Sequence, residues 1–166
     1  MNRTYDRAWY IKKVDRIREI IPECAISADV ITGFCSETEE EHQDTLSIIE
    51  YSQFIMSYMF FYSERPGTLA ERKYEDDIPL EVKKRRLSEV IKVQAAVSLE
   101  LNKKDLNKTF KVLIDGYSKK SNEHFKGRNS QSKVIIFPMK EGVQVGDYVH
   151  VKVDEVTSAT LKGHMV

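Results

Sequence analysis

Hydrophobic and polar positions in the first 102 residues switch between helical and strand-like spacing. Near the start, apolar residues recur every three or four positions: Tyr10, Val14, Ile17 and Ile21. This spacing predicts a helix over residues 4–21, with Thr4 as its N-cap and Pro22 as its end.

Two strands separated by a helix are predicted next. Residues 24–34 are rich in small and β-branched side chains without strict alternation, which is typical of a strand buried on both faces of a parallel sheet. Asp29 would then be a buried carboxylate, which needs a partner. Thr38 and Glu41 form a T-x-x-E capping box that predicts a helix start, and residues 54–63 predict the second strand.

A loop and a long helix complete this half. Residues 66–77 have the composition of a loop, and Pro79 suits the first turn of a helix that reaches residue 102. The apolar stripe of that helix consists of Val82, Leu87, Val90, Ile91 and Leu101. The cations at 83–86 (KKRR) spread around one turn, so we expect most of them to be solvated.

The order helix, strand, helix, strand, helix indicates an α/β barrel or a doubly wound sheet. Two parallel strands leave two unpaired edges and bury little area. We therefore expect residues 1–102 to be the C-terminal part of a larger α/β domain.

The remaining residues, 103–166, alternate with the period of short β-strands. Phe110, Val112 and Ile114 share one face, and further strands are predicted within residues 132–138, 147–156 and 159–166. Four or five short strands in so few residues predict a small all-β barrel, a class that often binds nucleic acid.

Charge divides at the same place. From Lys103 onward there are twelve Lys and Arg against seven Asp and Glu, although the whole chain is neutral. An excess of five positive charges indicates an anionic partner, although a solvated surface alone also produces such asymmetry. No run of about 20 apolar residues and no N-terminal apolar segment is present, so we expect a cytoplasmic protein without a membrane partner.

Candidate site residues lie where the predicted strands end. Gly33 precedes a helix start and allows close approach of a ligand to the backbone, and Arg65 on the Pro66-Gly67 turn suits a carboxylate or phosphate. The alternatives are that Gly33 only turns the chain and that Arg65 has no role. Two cysteines and four scattered histidines do not form a metal-binding pattern, so we expect no metal.

A second candidate site lies in the β region. Cations there would contact phosphates, an aromatic ring would stack on a base, and amides would reach base edges. These residues are Phe125, Lys126, Arg128, Asn129, Gln131 and Lys133. Solvated β-turns have a similar composition.

Five segments together resemble the carboxyl half of the radical-SAM methylthiotransferases, and most closely the tRNA 2-methylthio-N(6)-dimethylallyladenosine synthase family. They are MNRTYDRAWY, ISADVITGFCSETEEEHQDTL, FFYSERPGTLAE, IPLEVKKRRL and FKGRNSQSKVIIF. The resemblance covers essentially the whole chain.

The resemblance implies a three-part enzyme with two 4Fe–4S clusters, of which this chain is the end of the radical-SAM partial (β/α) barrel followed by a TRAM β-barrel. The cluster cysteines of the family lie upstream of this chain. It further implies S-adenosylmethionine contacts at Arg3, Ser27, Asp29, Ile31 and Gly33. The family pattern GFPGET is GFCSET here, with Cys35 and Ser36 replacing proline and glycine.

For the β region, the resemblance implies a tRNA-gripping loop with Lys126, Arg128, Asn129 and Lys133, and the YSERPGT motif with Arg65 would face the modified adenosine. In the intact enzyme, one S-adenosylmethionine would methylate a cluster-bound sulfur. Another would yield a 5′-deoxyadenosyl radical that abstracts hydrogen from C2 of the isopentenylated adenosine beside the anticodon.

The chain alone is expected to bind no cluster and to be inactive, but to bind the tRNA anticodon stem-loop in a salt-sensitive way. Two alternatives stay open. One is a stand-alone RNA-binding module. A CxxxCxxC motif upstream in the same reading frame would count against it. The other is a methylthiotransferase that acts on N6-threonylcarbamoyladenosine.

Overall fold

The computed structural model describes residues 3–166, which form four helices and seven strands. The chain divides into two compact units, one ending at Gln94 and the other running from Ala95 to Val166. The helices are α1 (Arg7–Ile20), α2 (Glu39–Ser52), α3 (Leu69–Lys73) and α4 (Leu80–Lys103). The strands are β1 (Ser27–Thr32), β2 (Met56–Phe61), β3 (Thr109–Tyr117), β4 (His124–Arg128), β5 (Val134–Pro138), β6 (Tyr148–Val156) and β7 (Leu161–Met165).

The first two helices begin at side-chain caps. The cap of α1 is Asp6, whose carboxylate accepts from the backbone N–H of Trp9 at 2.8 Å, so the predicted cap at Thr4 is wrong by two residues. The capping box of α2 is confirmed, because the Thr38 hydroxyl and the Glu41 carboxylate each accept from the other residue's backbone N–H.

Strands β1 and β2 pair in parallel, and helices cover only one face of the sheet they form. Residues of α1, α2 and α4 pack on that face against β1 and β2, around a core of Ile49, Phe54 and Val90. On the other face Asp29, Ile31, Tyr58 and Phe60 are exposed. The expectation of a strand buried on both faces is therefore wrong for these residues, and Asp29 is not a buried carboxylate.

The segment predicted as a loop contains the short helix α3, which Thr68 caps. In α4, Val90 is buried as expected, but Ile91 is 46% exposed. The prediction that KKRR is solvated holds for Lys84 and Arg85 and is wrong for Lys83 and Arg86, which are each only 4% exposed. Both buried cations have carboxylate partners.

The second unit contains a closed five-stranded barrel with the strand order β3-β4-β5-β7-β6. Its core consists of inward-facing residues that are at most 1% exposed: Val112, Ile114, Phe125, Ile135, Phe137, Val151, Val153 and Leu161. Gly163 has no space for a side chain, because a Cβ there would lie 1.9 Å from the carbonyl oxygen of Lys152. The all-β expectation is confirmed, with one addition: residues 124–128, interpreted as part of a loop, form the strand β4.

Within residues 3–166, none of the helices combines the length and the apolar character that a membrane span requires.

Candidate functional site

The two parallel strands end at the same edge of their sheet. Thr32 pairs with Phe61 at the ends of β1 and β2, and the backbone N–H of Tyr62 donates to the carbonyl oxygen of Thr32 at 2.8 Å. Consequently, the loops that begin at Gly33 and Tyr62 leave the sheet side by side. This is the position where α/β folds collect ligand-binding residues.

Gly33 shapes the first loop from a buried position. Its φ of +67° favours glycine, and a Cβ would lie 2.5 Å from Cγ of Lys83. Its backbone N–H is also in use, because it donates to the Glu37 carboxylate at 2.9 Å. These contacts give Gly33 a structural role in the turn, which was the alternative open from the sequence.

Ser36 has a left-handed backbone in the same loop, with φ of +63°. Its backbone N–H and its hydroxyl both donate to the carboxylate of Asp77, at 2.7 and 3.1 Å. The backbone N–H of Ser36 is the main cause that lowers the pKa of Asp77. Ser36 thus has a backbone conformation that favours glycine, the residue of the family pattern, and its two hydrogen bonds to Asp77 stabilise serine in that conformation.

Two buried cations of α4 hold this loop region in place. Arg86 donates to the carboxylate of Glu37 at 2.9 Å and to its carbonyl oxygen at 3.0 Å. Lys83 pairs with Asp76 and lies over the ring of Tyr62, 5.3 Å from the centroid. Burial, with the neighbouring Cys35 thiol, raises the pKa of Tyr62. Sequence reasoning missed these cations because it treated KKRR as one charged surface.

The second loop presents Arg65 on a tight turn. Gly67 has φ of +81°, and the Thr68 hydroxyl and backbone N–H both donate to the Arg65 carbonyl oxygen, at 2.9 and 3.3 Å. Proline and then glycine at the central positions of such a turn are typical of type II. The Arg65 side chain is exposed and makes no ion pair with another residue of the described part.

A cleft of about 760 Å³ lies beside β1. Four of the five residues expected to contact S-adenosylmethionine line it: Arg3, Ser27, Asp29 and Ile31. Gly33 does not line it. The other lining residues come from the start of α1, from α2, and from Ala28, Val30 and Phe54.

The cleft follows the unpaired edge of β1. Five consecutive residues, 27–31, line it, although successive side chains of a strand point to opposite faces of a sheet. Both kinds of side chain can border one cleft only if it runs along the strand's edge. Because β2 occupies the other edge, the cleft exposes backbone N–H and C=O groups of β1 that lack a sheet partner.

The open face of the sheet adds two aromatic residues that sequence reasoning did not single out. Tyr58 pairs with Asp29 and Phe60 pairs with Ile31, and both rings are more than half exposed. The period of two in residues 56–61 places 58 and 60 on one face, and that signal could have identified them. The result is a surface with a carboxylate beside two accessible rings.

One group of possible metal ligands occurs in the described residues, formed by Glu39, His42 and Glu89. These side chains already have partners. His42 and Glu89 are 2.7 Å apart, and Arg85 pairs with both carboxylates. Hydrogen bonds from Arg85 lower the pKa of Glu39 to about 2. We interpret this group as an ion-pair network.

In the barrel, three of the predicted RNA contacts serve the fold. Phe125 is 1% exposed within the core, so no base can stack on it. The Asn129 side-chain oxygen accepts from the backbone N–H groups of Gln131 and Lys133, each at 3.0 Å. The Lys133 ammonium pairs with buried Asp105 at 2.5 Å. Asn129 therefore shapes the turn between β4 and β5, and Lys133 attaches this turn to Asp105.

Lys126 and Arg128 are on the outer surface of β4. Both pair with one carboxylate, that of Asp115, at 3.1 Å each. Two cations that share one anion retain a net positive charge, so these two residues remain candidates for phosphate contacts.

Residues 103–166 match the TRAM domain family. Over 166 aligned residues the chain is 55% identical to the tRNA-2-methylthio-N(6)-dimethylallyladenosine synthase of Amoebophilus asiaticus, with 99% of this chain and 34% of the relative covered. Proteins of the same name from Christiangramia forsetii and Phocaeicola vulgatus are 52% and 48% identical, with all of this chain and 34% and 36% of those relatives covered. The chain thus spans about a third of the length of the curated relatives it matches.

Proposed function

From its homology, over its full length, to tRNA-2-methylthio-N(6)-dimethylallyladenosine synthases, we propose that the chain forms the C-terminal third of a tRNA methylthiotransferase. In this proposal the intact protein adds a methylthio group to C2 of N6-isopentenyladenosine next to the anticodon. The α/β unit contributes the end of a radical-SAM partial barrel, and the TRAM domain holds the tRNA.

The one-sided sheet is the observation that carries this proposal. A doubly wound sheet has helices on both faces, whereas a barrel wall has helices outside and ligand-binding side chains inside. Helices on one face and exposed Asp29, Tyr58 and Phe60 on the other fit a barrel wall. The cleft along β1 would then receive the preceding strand, which the upstream part of the protein supplies.

The residues on the open face are chemically suited to S-adenosylmethionine. A carboxylate such as Asp29 accepts hydrogen bonds from an ammonium or a ribose hydroxyl, and exposed rings such as Phe60 pack against an adenine. When bound, S-adenosylmethionine supplies the methyl group and the precursor of the radical. The protein residues bind and orient it, and Arg65 at the strand ends would contact the substrate.

An iron–sulfur cluster does not fit the residues of this chain. Such clusters use several cysteine thiolates, and the chain has only half-buried Cys24 and buried Cys35. We propose that the upstream part holds both clusters and that this chain alone is inactive.

A chimeric synthase tests the proposal. This chain replaces the matching C-terminal third of the Amoebophilus asiaticus synthase, and the chimera is expressed in a bacterium whose own synthase gene is deleted. We expect mass spectrometry of tRNA nucleosides to detect methylthiolated isopentenyladenosine with the chimera and a strongly reduced amount with Asp29→Ala. Restoration by the parent synthase but not by the chimera would contradict the proposal. Methylthiolation of threonylcarbamoyladenosine would assign the other substrate.

Binding of RNA is the second part of the proposal, and charge supports it. The region from Lys103 onward has an excess of five positive charges, and Lys126 and Arg128 share one carboxylate. Arg128→Ala should weaken binding of the whole chain to an anticodon stem-loop and lower its salt slope by about one. Lys162→Ala is the control, because Glu155 neutralises Lys162 at 2.8 Å. Equal binding by both variants would count against this assignment.

The closed barrel also favours the second candidate, a stand-alone RNA-binding module, because its core is complete without other residues. A chimera that fails to restore methylthiolation, together with a chain that binds the stem-loop, would support this candidate over the methylthiotransferase.

A further inference from the structure

The outer face of the β3–β6 ladder has a residue pattern that neither the core nor the described ion pairs explain. The antiparallel register places Leu113 opposite Tyr148 and Lys111 opposite His150. These positions alternate with buried Val112, Ile114, Val151 and Val153, so they point away from the core. By the same period, Thr109 and Lys152, a further pair of the ladder, belong to this outer face.

Tyr148 is the most accessible aromatic side chain of this face, with 62% of its surface exposed. The ammonium of Lys111 lies over its ring, 4.7 Å from the centroid. A ring that is so exposed contributes little to a hydrophobic core, but a cation beside it limits its motion. It is therefore a flat apolar surface held next to a positive charge.

Positive charge surrounds this ring on the outer surface of β4, β3 and β6. Lys126 and Arg128 share Asp115. Within residues 3–166, Lys111 and Lys152 have no carboxylate in ion-pair distance. By contrast, the pairing of β6 with β7 places Lys162 next to Glu155 at 2.8 Å and His164 next to Asp154 at 2.6 Å. Unpaired cations thus lie on the same face as the ring, whereas the cations of the β6–β7 ladder are neutralised.

Unpaired cations around an exposed ring fit a polyanion that also has flat apolar groups. An acidic peptide would satisfy the cations but not the ring. A nucleic acid satisfies both, since its phosphates pair with Lys and Arg and an unstacked base lies flat on an aromatic side chain. A fully paired helix keeps its bases stacked within it, so the partner must have an unpaired base.

We propose that Tyr148 is a stacking platform for one unpaired base of the bound RNA, with Lys111 and Lys152 on the adjacent phosphates. This site rests on the proposed RNA binding and goes beyond it, because it assigns the base contact to the β3–β6 face instead of the 124–133 segment. Buried Phe125, which sequence reasoning chose for stacking, is replaced by Tyr148.

A fluorescent RNA tests the site in the full 166-residue chain. The probe is a hairpin with 2-aminopurine at one loop position, since the fluorescence of this base falls when it stacks on a ring. Tyr148→Thr replaces one residue of high strand propensity by another and removes the ring. We expect it to weaken hairpin binding by about 5- to 100-fold and to abolish the fluorescence change.

Three further variants separate stacking from charge. Tyr148→Phe retains the ring and should bind within about threefold of the unaltered chain. Lys111→Ala should weaken binding and lower the salt slope by about one. Lys162→Ala, whose charge is already neutralised, should change neither quantity. Circular dichroism melting of Tyr148→Thr should match that of the unaltered chain, since residue 148 lies outside the core.

The outcomes distinguish this inference from the proposed function. If Arg128→Ala weakens binding while Tyr148→Thr does not, the chain binds RNA but the stacking platform is wrong. If the unaltered chain does not bind the hairpin, RNA binding itself is wrong. If polyglutamate binds as tightly as the hairpin and Tyr148→Thr affects neither, the face is a site for acidic peptides and the inference is overturned.

Discussion

The two units of this chain differ in how completely they bury their strands. The barrel closes on itself, and its eight core residues are each at most 1% exposed. The two-stranded sheet of the α/β unit has a core of three fully buried apolar residues and an open face with Tyr58 and Phe60. One unit satisfies its own strand edges, whereas the other presents an unpaired edge along β1.

The difference teaches how to interpret exposed apolar surface in this chain. An open edge and exposed rings on a sheet favour unwanted association unless another segment covers them. Since curated relatives are about three times as long as the aligned region, the proposed cover is the upstream part of the same protein. The surface of the barrel needs no such cover, and its exposed residues are therefore better candidates for an external partner.

The largest expected effect comes from the barrel core. Phe137→Ala should destabilise the barrel by about 3–5 kcal/mol, because it removes a fully buried ring from a core that cannot collapse around the cavity. Phe60→Ala in the open sheet should cost less than about 1 kcal/mol, since that ring is 57% exposed. Urea unfolding measures both variants, with amide hydrogen exchange of the strands β3–β7 reporting the barrel.

Trp9, the only tryptophan of the chain, lies in α1 and reports the α/β unit. The urea midpoint measured by Trp9 fluorescence should therefore change little in Phe137→Ala. A large loss of stability in Phe60→Ala would mean that this ring is buried in solution. It would contradict the difference in burial between the two units.

The buried cation of the α/β unit should give the next effect. Arg86→Met leaves the carboxylate of Glu37 largely buried without its partner, which typically costs about 3–5 kcal/mol. Its neighbour Arg85 is 45% exposed and pairs with Glu39 and Glu89. Arg85→Met should therefore cost much less, because solvent screens exposed pairs. Trp9 fluorescence in urea compares the two, and equal losses would show that burial of Arg86 does not matter.

Local patterns in the sequence predicted the parts that local physics decides. The capping box of Thr38 and Glu41 requires only the spacing of two side chains and is confirmed. The alternation of Phe110, Val112 and Ile114 predicted the first strand of the barrel because period two fixes which side chains face inward. Both features depend on neighbours within one element.

The burial of other side chains depends on how separate elements pack together, which the sequence alone does not show. Arg86 is buried against Glu37, which lies 49 positions away in the sequence. Lys83 is buried against Asp76, which is only seven positions away but lies outside α4, so the period of the helix does not predict the pair. Phe125 looked like a surface aromatic because it stands among polar residues, but β4 turns it into the core. Sequence reasoning also did not select Tyr148, because only the pairing of β6 with β3 places its ring on the outer face of the barrel, where it is exposed.

Ser36 offers a smaller test of the α/β unit. A valine there would be β-branched at φ of +63° and would also lose the hydroxyl's bond to Asp77. Ser36→Val should therefore destabilise the unit by about 2 kcal/mol. Ser36→Gly loses the same bond but relieves the backbone strain, so its net change should be within about 1 kcal/mol. Urea midpoints from Trp9 fluorescence measure both, and similar losses would rule out the strain.

The smallest expected effect is a pH dependence confined to one ion pair. Arg85 lowers the pKa of Glu39 from its ordinary 4.5 to about 2. Because the folded value is the lower one, the charged form is favoured in the folded state. The stabilisation is present above pH 4.5 and is lost as the pH falls towards 2. Glu39→Gln should remove this part of the acid sensitivity seen by Trp9 fluorescence, while Glu40→Gln, at a neighbouring exposed carboxylate, should leave it unchanged. Since Glu39 is half exposed, the change should be modest, and an identical acid profile in both variants would contradict the role of the pair.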